Sequence, residues 1–158
     1  MPGRTVADLA NDTALRLAEI PNIVGLKDAT GNIDRACDLI ERAPADFALY
    51  SGDDMSSAAF LMLGGHGVIS VTANVAPRLC AEMHKAWRDG RLHDAMAIQD
   101  RLTPLHDALF SETSPGPVKY AASLLAKSTG HCRLPLAPVG EATKTRVREA
   151  MVSAGLLN

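Results

Sequence analysis

The sequence predicts an α/β protein: three strand–helix units with parallel strands, followed by a helical appendage. Two observations carry this. Up to residue 90, short apolar runs alternate with stretches of helical periodicity, the pattern of parallel strands joined by helical crossovers. From Arg91 onward no strand signal recurs, and apolar residues keep only the helical spacing. The division therefore falls at residue 90, with 1–90 as the β/α segment and 91–158 as the helical part.

Taken in order, residues 5–18 read as a helix with Val6, Leu9, Ala10 and Leu17 on one face. Residues 23–27 are the first strand, an apolar run that ends in an amine. Thr30 or Asn32 suits the N-cap of the next helix, where Ile33, Ala36, Cys37 and Ile40 keep the spacing of one buried face. Residues 47–51 form the second strand, closed by Gly52-Asp53-Asp54, where an aspartate can cap a helix running through Leu63. Gly64-Gly65-His66-Gly67 turns the chain into a third strand at 68–71, which Thr72-Ala73-Asn74 ends. A helix with Leu79, Met83 and Trp87 follows Pro77.

In the second part, Ala95, Ile98, Leu102, Leu105 and Leu109 make a helical stripe. Ser114-Pro115-Gly116-Pro117 breaks the chain before a helix at 118–127. A proline-rich connection at 134–138 leads to the last helix, with Val147, Ala150, Met151 and Ala154 inward and Gly155 at the usual C′ position. Three parallel strands alone leave two edges with unpaired backbone groups and two faces that want cover, so this reads as part of a larger β/α fold.

Composition excludes several function classes. A net charge of −2 provides no basic field for nucleic acid, and 4% aromatic residues provide no stacking platform for single strands. No apolar run is long enough to span a bilayer, and the N-terminus shows no signal-peptide apolar core. Cys37, Cys80 and Cys132 are odd in number, far apart and without a CxxC pair, which fits reduced cytoplasmic thiols, two of them packed in helix faces. His84, His93, His106 and His131 form no i, i+4 pair and have no cysteine partner, so no metal site is expected. Asp53 and Asp54 read as helix-capping residues rather than a metal pair. Gly64-Gly65-His66-Gly67 lies before its strand and reads as a turn, not a phosphate cradle.

Lys27 is the residue that carries chemistry. Burial at the end of an apolar strand favours the neutral amine, which is a nucleophile towards ketones and aldehydes and forms Schiff bases. The same position also suits a lysine that snorkels from a strand end to the surface. The residues alone leave both readings open.

Several segments narrow the choice. Pro2-Gly3-Arg4-Thr5, Gly25-Leu26-Lys27-Asp28-Ala29-Thr30-Gly31-Asn32, Ser51-Gly52-Asp53-Asp54 and the run from Gly64 to Val75 closely resemble the 4-hydroxy-tetrahydrodipicolinate synthase (dihydrodipicolinate synthase) family, of the pyruvate-dependent class I aldolase and N-acetylneuraminate lyase superfamily. Pro117-Val118-Lys119 and Arg133-Leu134-Pro135 continue the match, which covers essentially the whole chain. The resemblance implies the C-terminal part of a (β/α)8 TIM barrel followed by a C-terminal helical domain, usually in a homo-oligomer. It implies a cytoplasmic lyase that condenses pyruvate with aspartate semialdehyde in lysine biosynthesis through diaminopimelate, with no cofactor beyond the covalent imine of pyruvate on Lys27. Lys27 matches the Schiff-base lysine, at the strand end where barrel active sites lie. Arg4 matches the arginine that receives the semialdehyde carboxylate, a task suited to a bidentate guanidinium. Ile69 matches a position whose backbone touches pyruvate, its side chain being core in either reading. Gly52 gives the substrate room beside Lys27, or simply ends a strand in a turn.

The resemblance also implies residues that this chain does not hold. In the family pattern five β/α strands and a proton-relay tyrosine precede the Arg4 motif, and neither Tyr50 nor Tyr120 matches that tyrosine. A positioned general acid–base contributes about 10²–10⁴-fold, so a chain lacking the relay and the wall that desolvates Lys27 is expected to be a poor enzyme alone. Met1 stands where related sequences carry valine, and is expected to be an internal position of a longer enzyme. The alternative reading is a non-catalytic or complementing subunit that associates through its exposed sheet edge with a separate N-terminal half or a second copy.

Overall fold

A computed structural model describes residues 5–158. The chain divides into two compact units, Met1–Ser70 and Val71–Asn158. By packing, helix Pro77–Arg88 groups with helix Leu92–Ala108, so these units do not share the boundary at residue 90 drawn from the sequence.

The first unit holds α1 (Asn11–Ala18), β1 (Gly25–Asp28), α2 (Ile33–Arg42), β2 (Ala48–Ser51), α3 (Ser57–Met62) and β3 (Gly67–Val68). Among the described residues the strands form one parallel sheet in the order β1-β2-β3, as the alternating signals predict. Lys27 pairs in register with Tyr50, and Tyr50 with Gly67. Side chains alternate across a strand. Leu26 and Leu49 join Ala14, Ala36, Leu39 and Phe60 in the core on the helix side. Lys27 and Tyr50 stand on the opposite face, which is exposed.

Several local expectations fail for identifiable reasons. Residues 7–10 are not helical: the Asp8 carboxylate accepts from the Leu9 N–H at 2.8 Å, a local bond that competes with a helix. Val6 stands outside α1 at φ 53° and is exposed. Val24 is 70% exposed, because β1 has no neighbour beyond it among the described residues. Cys37 is exposed; the inward face of α2 is centred on Ala36 and Leu39, with Ile33 and Ile40 half-buried at its margins. The third strand stops at Val68 because β2 ends at Ser51, which leaves only the Ile69 N–H to bond the Ser51 carbonyl, at 2.8 Å.

The second unit holds a 3₁₀ turn (Thr72–Asn74), α4 (Pro77–Arg88), α5 (Leu92–Ala108), α6 (Gly116–Leu124) and α7 (Glu141–Ser153), with no strand among the described residues. The predicted stripe on α5 is its core: Leu102, Leu105 and Leu109 are fully buried against Val147, Ala150 and Met151 from α7. Burying each leucine contributes about 1.5–3 kcal/mol. Cys80 on α4 lies in the same cluster. Gly155 closes α7 at φ +71°, where the Leu156 N–H donates to Met151 O and the Gly155 N–H to Val152 O, both at 2.8 Å. Helix α6 begins at Gly116, with Pro117 in its first turn, and ends at Leu124, three residues short of the expected Lys127. Ala126 takes the left-handed position after it, at φ 55°. Among the described residues no helix is long and apolar enough to cross a membrane.

Candidate functional site

The loop that follows Lys27 is tied by its own side chains. Asp28 is buried, and its Oδ1 accepts the Thr30 N–H at 2.9 Å. Thr30 Oγ1 accepts the Asn32 N–H at 3.2 Å, and Gly31 turns the chain at φ +68°. Asn32 is the N-cap of α2, its Oδ1 accepting the Arg35 N–H at 3.0 Å, which selects Asn32 over Thr30. The run Lys27-Asp28-Ala29-Thr30-Gly31-Asn32 is therefore a strand end, a closed turn and a helix cap in six residues.

The loop after β2 is built the same way and lies against it. Ser51 Oγ accepts the Asp53 N–H at 3.1 Å, and Asp53 Oδ2 accepts from the N–H and hydroxyl of Ser56 at 2.9 and 2.6 Å. The N-cap of α3 is Ser56, whose side chain makes no cap bond; Asp53, three positions before it, fixes that N-cap residue rather than capping α3 itself, because the turn at 53–56 takes up its carboxylate. A Cβ added to Gly31 would lie 3.4 Å from the Asp53 carboxylate, so the two loops touch.

Gly52 sits between them. Its N–H donates to Asp28 O at 2.7 Å, and a Cβ added to it would stand 2.5 Å from Lys27 Cε and 2.6 Å from Ala29 Cβ. Glycine here is the space that the lysine chain occupies. Lys27 lies near the C-terminal end of β1, as predicted, but it is exposed rather than buried, because no layer of the described residues covers that face of the sheet. Ile69 follows β3 at the same sheet end and is 49% exposed, so its side chain is not core; the open face is again the reason. Arg4 lies outside the described residues.

Two neighbours escape the sequence reading. Tyr50, assigned only to a strand interior, is the register partner of Lys27 on the exposed face, with its ring 6.4 Å from that of His66. His66 is held by a pair of bonds to β2: its N–H donates to Leu49 O at 2.8 Å, and its Nδ1 accepts the Leu49 N–H at 3.0 Å. Counting residues back from Ser51-Gly52 against the Lys27 motif would have found Tyr50. Arg35 belongs to no motif that marks it in the sequence; its Nε donates to Asp28 Oδ2 at 3.0 Å. Chemically the site offers a primary amine open to a small carbonyl compound, an adjacent phenol, and backbone that three short strands hold in place. No group of three or more His, Cys, Asp or Glu among the described residues is placed to hold a metal ion.

Comparison with known proteins is consistent along the chain. The model of the dihydrodipicolinate synthetase family matches residues 1–154. The 4-hydroxy-tetrahydrodipicolinate synthase of Azoarcus sp. (strain BH72) is 63% identical over 156 residues, 99% of this chain and 53% of that protein. The crystal structure of dihydrodipicolinate synthase from Thermotoga maritima superposes with a TM-score of 0.95 at 38% identity, over 99% of this chain and 55% of that one. A chloride-inhibited dihydrodipicolinate synthase from Acinetobacter baumannii, solved in complex with pyruvate, gives 0.94 at 43% identity, over 99% and 54%. The chain thus spans about half the length of the relatives it matches.

Proposed function

We propose a function for this chain from its family, since it belongs to the dihydrodipicolinate synthetase family: it carries the Schiff-base lysine of a lyase that joins pyruvate to aspartate semialdehyde on the route to lysine. The supporting observation is Lys27, exposed near a strand end with Gly52 leaving room for its chain. The Lys27 amine attacks the ketone carbon of pyruvate, a C–N bond forms, and water leaves to give the imine. Loss of a methyl proton gives the enamine, whose carbon attacks the aldehyde of the second substrate. The amine of the condensed second substrate then adds to the imine carbon and the bond to the Lys27 nitrogen breaks, which closes a ring on the product and frees the lysine. In this reading Arg4 receives the semialdehyde carboxylate, Gly52 keeps the space beside Lys27 open, and the Ile69 backbone borders the pyruvate. The imine is the electron sink, so the reading calls for no further cofactor. We assign the protein to the cytoplasm and to a homo-oligomer on the same basis, with residues 91–158 as a C-terminal helical domain of a TIM-barrel enzyme. A purely non-catalytic subunit is the less favoured reading, because the relatives are named as synthases.

Borohydride reduction in the presence of pyruvate, read by intact mass and peptide mapping, tests the assignment. The expected result is one pyruvate adduct on the peptide containing Lys27, absent in Lys27→Ala. An adduct that persists in Lys27→Ala, or none in the parent chain, overturns it.

A further inference from the structure

Arg35 joins two segments that are distant in sequence. Its Nε donates to Asp28 Oδ2 at 3.0 Å, its Nη1 to Asp8 Oδ2 at 2.8 Å, and its Nη2 to the Leu9 carbonyl at 2.5 Å. The Arg35 side chain is 16% exposed and that of Asp28 7%, so this pair is largely shielded from solvent, whereas Asp8 is half exposed. Asp28 is the residue next to Lys27, and its other oxygen closes the turn at Thr30. Three acceptors in three directions match the planar fork of a guanidinium and not the single ammonium of a lysine.

We infer that Arg35 is a positioning residue: it locks the turn that follows Lys27 to the segment at residues 8–9, and so sets the direction from which the lysine leaves its strand. The inference rests on the Schiff-base reading of Lys27. It adds to that reading a part that no sequence motif marks. The lysine sits on a short strand with an open face, so its placement depends on what holds the backbone at residues 28–30. Arg35 ties that turn to residues 8–9, as the Gly52 N–H ties it to the loop after β2.

Two readouts on the full chain separate the clamp from the chemistry. The first is amide hydrogen exchange at Leu9 and Thr30, whose N–H groups donate to Asp8 and Asp28. Asp8 and Thr30 share no hydrogen bond, so Asp8→Asn speeds exchange at Thr30 only if Arg35 transmits the change. About tenfold faster exchange is expected at both amides in Arg35→Ala, and a smaller increase at Thr30 in Asp8→Asn, with α5 amides unchanged. The second readout is the rate of borohydride-trapped pyruvate adduct, expected to fall about tenfold in Arg35→Ala, with no rescue in Arg35→Lys. Unchanged exchange at Thr30 in Asp8→Asn, or a trapping rate in Arg35→Ala equal to the parent's, overturns the inference. Absence of an adduct in the parent chain overturns the Schiff-base reading instead, and the clamp is then decided by exchange alone.

Discussion

Replacing Gly52 by alanine puts one methyl group where the fold has left none. The new Cβ would stand 2.5 Å from Lys27 Cε, 2.6 Å from Ala29 Cβ and 3.2 Å from Ala29 Cα. Non-bonded carbons rest about 3.5–4.0 Å apart, so the groups must part by roughly 1 Å. The flexible lysine chain yields before the Ala29 backbone, which the Asp28–Thr30 turn holds. A displacement of about 1 Å at a reacting group costs on the order of 10²-fold in rate, whereas one overpacked methyl costs about 1–3 kcal/mol of stability. Pyruvate trapping in Gly52→Ala is therefore expected to slow about a hundredfold, with a melting point lowered by about 2–4 °C per kcal/mol lost. The assay is a timed borohydride quench read by intact mass, beside a thermal melt of the same sample. Gly65→Ala serves as the control, because its Cβ would strike the Phe60 ring at 2.2 Å, away from the lysine. It should lose stability and keep its trapping rate below its melting point. Gly52→Ala trapping pyruvate at the parent rate would refute the argument.

Two further predictions concern the helical unit. Ala126 closes α6 in the left-handed region, with its N–H donating to Ser123 O and the Lys127 N–H to Ala122 O. That conformation costs an L-residue about 1–2 kcal/mol, and glycine adds about 0.4–1 kcal/mol of unfolded-state entropy. Ala126→Gly is thus expected to stabilise the chain by about 0.5–1 kcal/mol in urea unfolding, and a destabilised variant would contradict it. Glu112 accepts the Gly140 N–H at 2.9 Å, just before α7. Its bond with the Thr143 hydroxyl, and then that with Gly140, hold its carboxyl below the ordinary value of 4.5. A depressed carboxyl stabilises fully above its unfolded value, and the gain is lost as pH falls through the folded one. The stability gap between the parent and Glu112→Gln should accordingly be present at neutral pH and close in the acid range below 4.5. A gap of constant size would rule this out.

The legible parts of the fold are those with strong periodicity. Three strand–turn–helix alternations and the α5 stripe appear in the structure because apolar spacing and burial are the same physical fact read twice. Residues 7–10 depart from the helix that apolar spacing predicts because a polar side chain decides them: Asp8 bonds the next N–H, and Arg35 holds the carbonyl after it. Ile69 was misread because a strand residue is core only if its face is covered. In the candidate site, Lys27 and Gly52 were legible from the motif. Arg35 was not, since its bond to Asp8 spans 27 positions and leaves no local pattern.

The site separates placement from environment. Placement is local: the Asp28 turn, the Asn32 cap, the Gly52 gap and the Arg35 bonds lie within one unit and fix where Lys27 leaves β1. Environment is another matter, because imine formation needs an unprotonated amine and burial is what favours uncharged groups. Parallel sheets are ordinarily covered on both faces, yet here Lys27, Tyr50 and Ile69 share the face that the described residues leave open. Variants at Gly52 and Arg35 therefore report on placement, as a change relative to the parent. The absolute trapping rate of the parent reports on environment, and a slow parent with faithful Gly52 and Arg35 effects would show placement intact without the burial that speeds the chemistry.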